Sequence, residues 1–69
     1  MLKERITAKQ LADMITAKIG ASGLEIVVHE DHAFDWLPTV TAAPGDLIGY
    51  QRRAEEIANR FRVNFDLHD

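Results

Sequence analysis

Two short segments between Leu24 and Val40 alternate apolar and polar residues, and this period of two constrains the fold more than any other feature. Side chains at alternate positions of a strand lie on one face of a sheet. The residues that share the apolar face are Leu24, Ile26, Val28, Phe34, Trp36 and Val40. The pattern predicts a β-hairpin. Because an isolated hairpin is only marginally stable in water, its apolar face must pack against the rest of the chain.

A first amphipathic helix is predicted from about Ala8 to Ile19. Thr7 and Gln10 have the spacing of a capping box, in which each side chain satisfies a free backbone N–H near the other. The apolar residues that follow recur at helical spacing. Gly20 is suited to the left-handed conformation that ends many helices.

A second amphipathic helix is predicted to begin after Asp46, a suitable N-cap. Its apolar stripe comprises Leu47, Tyr50, Ala54, Ile57, Ala58 and Phe61. Residues 62–67 alternate as a further strand would, yet Phe61 and Phe65 also continue the helical stripe. We favour a helix to about Arg62 and an extended tail that docks Phe65 and Leu67. Strand, helix and coil all stay open for the tail.

These elements predict a single α+β domain over residues 1–69, with a β-hairpin packed on two helices in the two-layer order α-β-β-α. The C-terminal tail would add a third strand if it pairs. Pro38 has no N–H to donate, so we expect a free strand edge or a bulge at that position.

The composition of the chain excludes several classes of protein. The chain has no cysteine, so disulfides and thiolate zinc sites are excluded. The net charge of −3 argues against general affinity for nucleic acids or anionic membranes. No apolar run reaches the roughly 20 residues that span a bilayer, and the N-terminus lacks a signal-peptide core. We expect a cytoplasmic protein without a membrane partner.

A polar cluster at the centre of the hairpin is the one candidate for metal binding: His29, Glu30, Asp31 and His32. Imidazoles on the two sides of a Glu30–Asp31 turn could converge on zinc or nickel. No zinc-type spacing is matched, however, so a solvated turn is the favoured interpretation, with no cofactor. So short a chain also has little material to enclose a catalytic pocket, and we expect no enzymatic activity.

Arginines on the second helix are the candidate contacts to phosphate, with Arg53 and Arg60 foremost. Glu55 and Glu56 are interleaved with them, and Glu56 precedes Arg60 by four residues in the favourable orientation for a helix-surface pair. The mixture favours a solvated helix face. Binding of single-stranded nucleic acid through these arginines is the alternative.

Trp36 could anchor a partner, although its alternation with polar residues favours a place in the core. Leu37 points away from Trp36 and shares the opposite sheet face with Val27. If the helices cover one face only, these two side chains form an exposed apolar pair. We therefore expect a small protein-interaction module that forms a homodimer or docks on another protein. Candidate contacts are Val27, Trp36, Leu37, Arg53 and Arg60.

The C-terminal half of the chain resembles short bacterial proteins of unknown function. The likeness rests on residues 36–40 (Trp-Leu-Pro-Thr-Val), on Tyr50 at the head of an amphipathic helix, and on residues 62–67 (Arg-Val-Asn-Phe-Asp-Leu). It implies no activity, ligand or site.

Overall fold

The structure is a computed structural model that describes residues 4–33 and 35–68. Its elements follow in the order β1 (Glu4–Thr7), α1 (Ala8–Ile19), β2 (Glu25–Asp31), β3 (Asp35–Ala42), α2 (Leu47–Phe61) and β4 (Phe65–His68). The predicted α+β class is confirmed, because a β2–β3 hairpin packs on both helices. Within the described ranges, no helix is long and apolar enough to cross a membrane.

Hydrogen bonds and backbone conformation at the two ends of α1 determine where this helix begins and ends. The Thr7 backbone N–H donates to Gln10 Oε1 and the Gln10 N–H donates to Thr7 Oγ1, both at 3.1 Å. Gly20 ends the helix with a φ of 74° and donates its N–H to the Thr16 carbonyl. Only glycine adopts this left-handed conformation without a steric penalty. The predicted capping box and helix bounds are confirmed.

The second helix begins where the sequence predicts. Asp46 is the N-cap, and its Oδ1 accepts a hydrogen bond from the Ile48 N–H at 3.2 Å. The helix ends at Phe61, and Arg62 is its C-cap. The predicted end at about Arg62 is confirmed to within one residue.

The hairpin turn lies further along the chain than the metal hypothesis requires. Strand β2 continues through Asp31, so Glu30 and Asp31 lie in the strand and the turn follows them. The Asp31 carboxylate accepts a hydrogen bond from the Ala33 N–H at 2.9 Å, which stabilises the turn locally. Asp35 then has a φ of 71°, a left-handed conformation that aspartate tolerates better than most residues. Phe34 falls outside the described residues.

The C-terminal tail forms a strand, but its partner differs from the expected one. Strand β4 pairs in parallel with β1, in the register Glu4 with Phe65 through Thr7 with His68. The tail is therefore not a third strand of the hairpin sheet, and the two strand pairs are separate. The predicted docking of Phe65 and Leu67 is confirmed, since both pack against the core. Strand β1 was missed because its four residues are too few to display a period.

Trp36 is completely buried at the centre of the core, so the core interpretation of this residue is confirmed and its candidacy as a partner contact is wrong. Leu11 and Ile15 of α1 and Ala54 and Ala58 of α2 are also fully buried. The small alanine side chains leave room for a large indole in the same core. The remaining core members are Ile6, Ala12, Leu24, Val28 and Val40.

Trp36 also connects the hairpin to the C-terminal segment through polar contacts. Its Nε1–H donates to the Phe65 carbonyl at 3.4 Å. Arg62 Nε donates to the Trp36 carbonyl at 2.9 Å, and the guanidinium carbon lies 5.1 Å from the centroid of the indole ring. Arg62 Nη1 also donates to Asn59 Oδ1. A flat guanidinium can stack on the ring and donate in its own plane at the same time.

We predict that Arg62→Lys destabilises the fold by about 1–2 kcal/mol, because a lysine ammonium cannot reproduce the stacking and the Nε hydrogen bond together. Chemical unfolding followed by tryptophan fluorescence measures the change. The matched control is Arg60→Lys at an exposed position of the same helix, where a shift under about 0.5 kcal/mol is expected. Equal losses in the two variants would contradict the assigned role of Arg62.

Candidate functional site

The face of the hairpin that points away from the helices is the first candidate surface. Val27 on β2 is 51% exposed, and Leu37 on β3 is half-buried. Val27 pairs with Thr39 and His29 pairs with Leu37, so the two apolar residues are diagonal neighbours. His29 Nε2 and Thr39 Oγ1 lie 2.9 Å apart on the same face. The expected outward-facing pair is thus present, although it is small and flanked by polar groups.

Side chains of α2 cover the outer edge of β3, the edge that faces away from β2. Gln51 Oε1 accepts a hydrogen bond from the Val40 N–H at 2.7 Å, and Gln51 Nε2 donates to the Pro38 carbonyl at 3.0 Å. Gln51 Nε2 also lies 2.9 Å from Glu55 Oε2, which orients the amide. Arg62 Nε donates to the Trp36 carbonyl, which is the next carbonyl of β3 that points outward. These side chains occupy the positions that a neighbouring strand would fill.

Pro38 is placed where its missing N–H has no consequence. Residues Trp36, Pro38 and Val40 direct their backbone groups towards α2 and away from β2. An outward N–H at position 38 would have no strand to bind. Pro38 lies on an edge of the sheet, as expected, but side chains of Gln51 and Arg62 cover that edge, so it is not free. The bulge that the sequence offered as an alternative lies elsewhere, between Glu25 and Ile26.

We predict that Gln51→Ala lowers the free energy of unfolding by about 1–2 kcal/mol, since the Val40 N–H and the Pro38 carbonyl both lose a partner. The amide of Val40 should also exchange with solvent faster, which NMR hydrogen exchange detects at that single residue. Arg52→Ala, an exposed neighbour on the same helix, is the control. Unchanged protection of Val40 in the Gln51 variant would refute the covering role.

The part of the outer β2 edge at Ile26 and Val28 has no such cover. Ile26 pairs with Val40 and Val28 with Pro38. Because directly opposed residues in an antiparallel pair either exchange both hydrogen bonds or neither, Ile26 and Val28 direct their backbone groups away from β3. Across residues 4–33 and 35–68, no hydrogen bond pairs these groups with another part of the chain. Glu25–Asp31 also contains neither lysine nor proline, the residues that commonly protect a strand edge.

The two candidate arginines lie on the solvent side of α2. Arg53 and Arg60 are both exposed and are separated by two helical turns, roughly 10 Å along the axis. Arg53 lines a shallow depression of about 240 Å³ with Asp46, Gly49 and Tyr50. The acidic residues Asp46 and Glu56 are thus neighbours of these cations, so the face carries mixed charge.

The hairpin histidines are not arranged as a ligand pair. His29 lies on the outer face of β2, whereas His32 lies in the turn. Among the residues that the structure describes, no three His, Asp or Glu side chains are grouped so that they could hold a metal ion. The physical reason is the length of β2: because the strand continues through Asp31, Glu30 and Asp31 do not form the turn between two imidazoles that the metal hypothesis requires.

An open cleft of about 590 Å³ lies between the hairpin turn and the β1–β4 pair. Its lining residues are Arg5, Glu30, Asp31, His32, Asp35, Asp66 and Leu67. Arg62 lies near this acidic end of the molecule. Burial lowers the pKa of Arg62 below its ordinary value, and the carboxylates of Asp31, Asp35 and Glu55 oppose that shift. These acids therefore favour the charged guanidinium that stacks on Trp36.

The sequence also predicts unpaired backbone groups at the edges of so small a sheet, but it does not identify the edge of β2 as the open one. The contrast between the two strands is visible in the sequence, since β3 contains Pro38 while Glu25–Asp31 contains neither lysine nor proline. Recognising the open edge required the pairing register, which identifies the residues whose backbone groups point outward.

Comparison of the chain with models of known protein families, with curated proteins and with solved structures found no match. The resemblance to short bacterial proteins of unknown function stays a prediction.

Proposed function

We propose that this chain is a small protein-interaction module that self-associates through the open edge of β2. The supporting observation is the asymmetry of the hairpin: one outer edge is covered by Gln51, Arg62 and Pro38, and the other is left open. Strand edges with unpaired N–H and C=O groups are templates for pairing with another chain. A fold that protects one edge and exposes the other has a defined place for a partner strand.

The unpaired backbone groups, and not the stability of the hairpin, favour a partner strand. The hairpin already packs against both helices, but the outward N–H and C=O groups of Ile26 and Val28 would gain hydrogen bonds from a docked strand. A second copy of the chain offers the same open edge, and pairing two such edges satisfies both at once. A second copy of the chain therefore has every feature that the partner requires.

The expected affinity is low. Pairing of two short edges buries less surface than the roughly 1,600 Å² of a standard stable interface, so association should be weak and dependent on concentration. The outer-face residues Val27 and Leu37 lie next to this edge and add apolar area. The metal and nucleic-acid hypotheses stay predictions, and no observed arrangement of His29, His32, Arg53 or Arg60 favours them over self-association.

We predict that the wild-type chain forms dimers as its concentration rises from about 10 µM to about 1 mM, and that Val27→Lys shifts it to the monomer over that range. A lysine on an edge strand places a charge and a long side chain beside the pairing groups of a neighbour. Sedimentation equilibrium measures the mass at each concentration. A wild-type chain that remains monomeric at about 1 mM would overturn the proposal.

The matched control is Ile48→Lys. Ile48 is an apolar residue on α2 and is 73% exposed, more than the 51% of Val27. If association depends on the β2 edge, this variant should dimerise like the wild type. If association is a general effect of exposed apolar surface, the two lysine variants should be equally impaired, and the assignment to β2 would be wrong.

We also predict that hydrogen exchange at the amides of Ile26 and Val28 slows as concentration increases. Their N–H groups point outward and gain partners only when another strand docks. The amide of Val27 points towards β3 and serves as the internal reference, because its protection should change little. Concentration-independent exchange at Ile26 and Val28 in a sample that contains dimers would place the interface elsewhere.

A further inference from the structure

We infer that two copies of this chain join their β2 strands antiparallel, with the twofold axis beside Val27. The resulting sheet has the strand order β3-β2-β2′-β3′, in which the prime marks the second copy. This inference rests on the proposed self-association and adds the register of the pairing. The register follows from which backbone groups point outward and from the charges along β2.

The hydrogen-bonding pattern restricts the choice of register. In β2, Ile26 and Val28 direct their N–H and C=O groups away from β3. An isologous pairing of two identical strand edges is antiparallel, and outward-pointing residues must oppose outward-pointing residues. An axis beside any residue of β2 meets this condition, because each brings even-numbered positions opposite one another, and axes beside Ile26 through Glu30 overlap at least three residues.

Charge separates these alternatives. With the axis beside Val28, Glu25 of each strand lies directly opposite Asp31 of the other, and facing carboxylates destabilise a sheet. With the axis beside Ile26, only residues 25–27 of β2 overlap. With the axis beside Val27, residues 25–29 overlap and Glu25 faces His29. An imidazole does not repel a carboxylate, whether it is neutral or protonated.

An axis beside His29 gives an overlap of the same length, residues 27–31, but it places Val27 opposite Asp31 and so leaves Val27 without an apolar neighbour. An axis beside Glu30 overlaps only residues 29–31 and opposes two Glu30 side chains. The axis beside Val27 is therefore the register that combines a five-residue overlap, no facing acids and an apolar pair at the axis.

The same register matches side chains on both faces of the joined sheet. On the outer face Val27 meets its own copy at the axis, so that a half-exposed apolar residue becomes covered. On the helix side, Ile26 opposes Val28 of the other strand, and each such pair exchanges two backbone hydrogen bonds. Ile26 is half-buried and Val28 is buried in the single chain, so both already face the core layer.

Disulfide trapping tests the register directly, since the chain contains no cysteine to interfere. In Val27→Cys, the two Cα atoms at the axis would be about 4.5 Å apart, within the range that a disulfide bridges. Within the dimer, the effective concentration of one thiol near the other would be millimolar. In a glutathione redox buffer, the disulfide should therefore form at least about tenfold faster than it would by random encounter of chains at tens of µM. Non-reducing electrophoresis gives the rate.

Thr39→Cys is the matched control. Thr39 is exposed, lies on the same face and pairs directly with Val27, but it belongs to β3. Its copy would be three strand spacings away, roughly 14 Å, which is too far for a disulfide. We expect no accelerated crosslink in this variant. Accelerated crosslinking of Thr39→Cys would overturn the inference.

A mixture of Glu25→Cys and His29→Cys chains provides a second measurement that leaves Val27 intact. The proposed register predicts the mixed disulfide between the two variants. If sedimentation detects dimers but Val27→Cys instead crosslinks preferentially to His29→Cys, the axis lies beside Val28. The register would then be wrong and the proposed function would stand. If the chain is monomeric at about 1 mM, the proposed function fails together with the register.

Discussion

The requirement that every backbone polar group find a partner organises this structure. A two-stranded hairpin has two outer edges, and the other two strands, β1 and β4, pair with each other and add to neither edge. Helix α2 resolves the problem on one side by extending Gln51 and Arg62 to the outward groups of β3. This arrangement explains where α2 lies and why β3 can contain Pro38. It also explains why one edge of the hairpin is covered while the edge of β2 is open.

The core depends on the same contacts, because Trp36 lies between the covered edge and the C-terminal segment. Its carbonyl accepts from Arg62 and its indole N–H donates to the Phe65 carbonyl, so one residue joins β3 to α2 and β4. The ring of Phe65 meets that of Phe61 edge to face, with centroids 5.9 Å apart. In a chain this small, such an arrangement lets a single large side chain fill the core and position three elements.

The proposed function rests on the asymmetry between the two edges of the hairpin. An edge that is covered by side chains is closed to other strands, and an edge without cover is available to them. Self-association through β2 would enlarge the sheet and keep the helices of both copies on the same face of that sheet. The outer face would then carry Val27 and Leu37 from each copy as a continuous apolar strip, flanked by His29 and Thr39.

The sequence alone determined the local structure of this protein. The capping box at Thr7, the left-handed Gly20 and the alternation around Trp36 depend on neighbours within a few residues, so each can be recognised in the linear chain. Burial of Trp36 and the outward position of Val27 follow from the same period of two. These short-range preferences were sufficient to predict both helices, the hairpin and the α+β class.

Only the tertiary structure decided which distant segments pair. The β1–β4 ladder joins Glu4 to Phe65, at opposite ends of the chain. The four residues of β1 show no period, and the alternation of residues 62–67 does not identify the strand with which they pair. The covering of β3 by Gln51 and the separation of His29 from His32 likewise depend on where whole elements are placed. Sequence patterns encode which face of a strand is apolar. They do not encode which edge is free, because an edge is defined by what the rest of the fold places beside it.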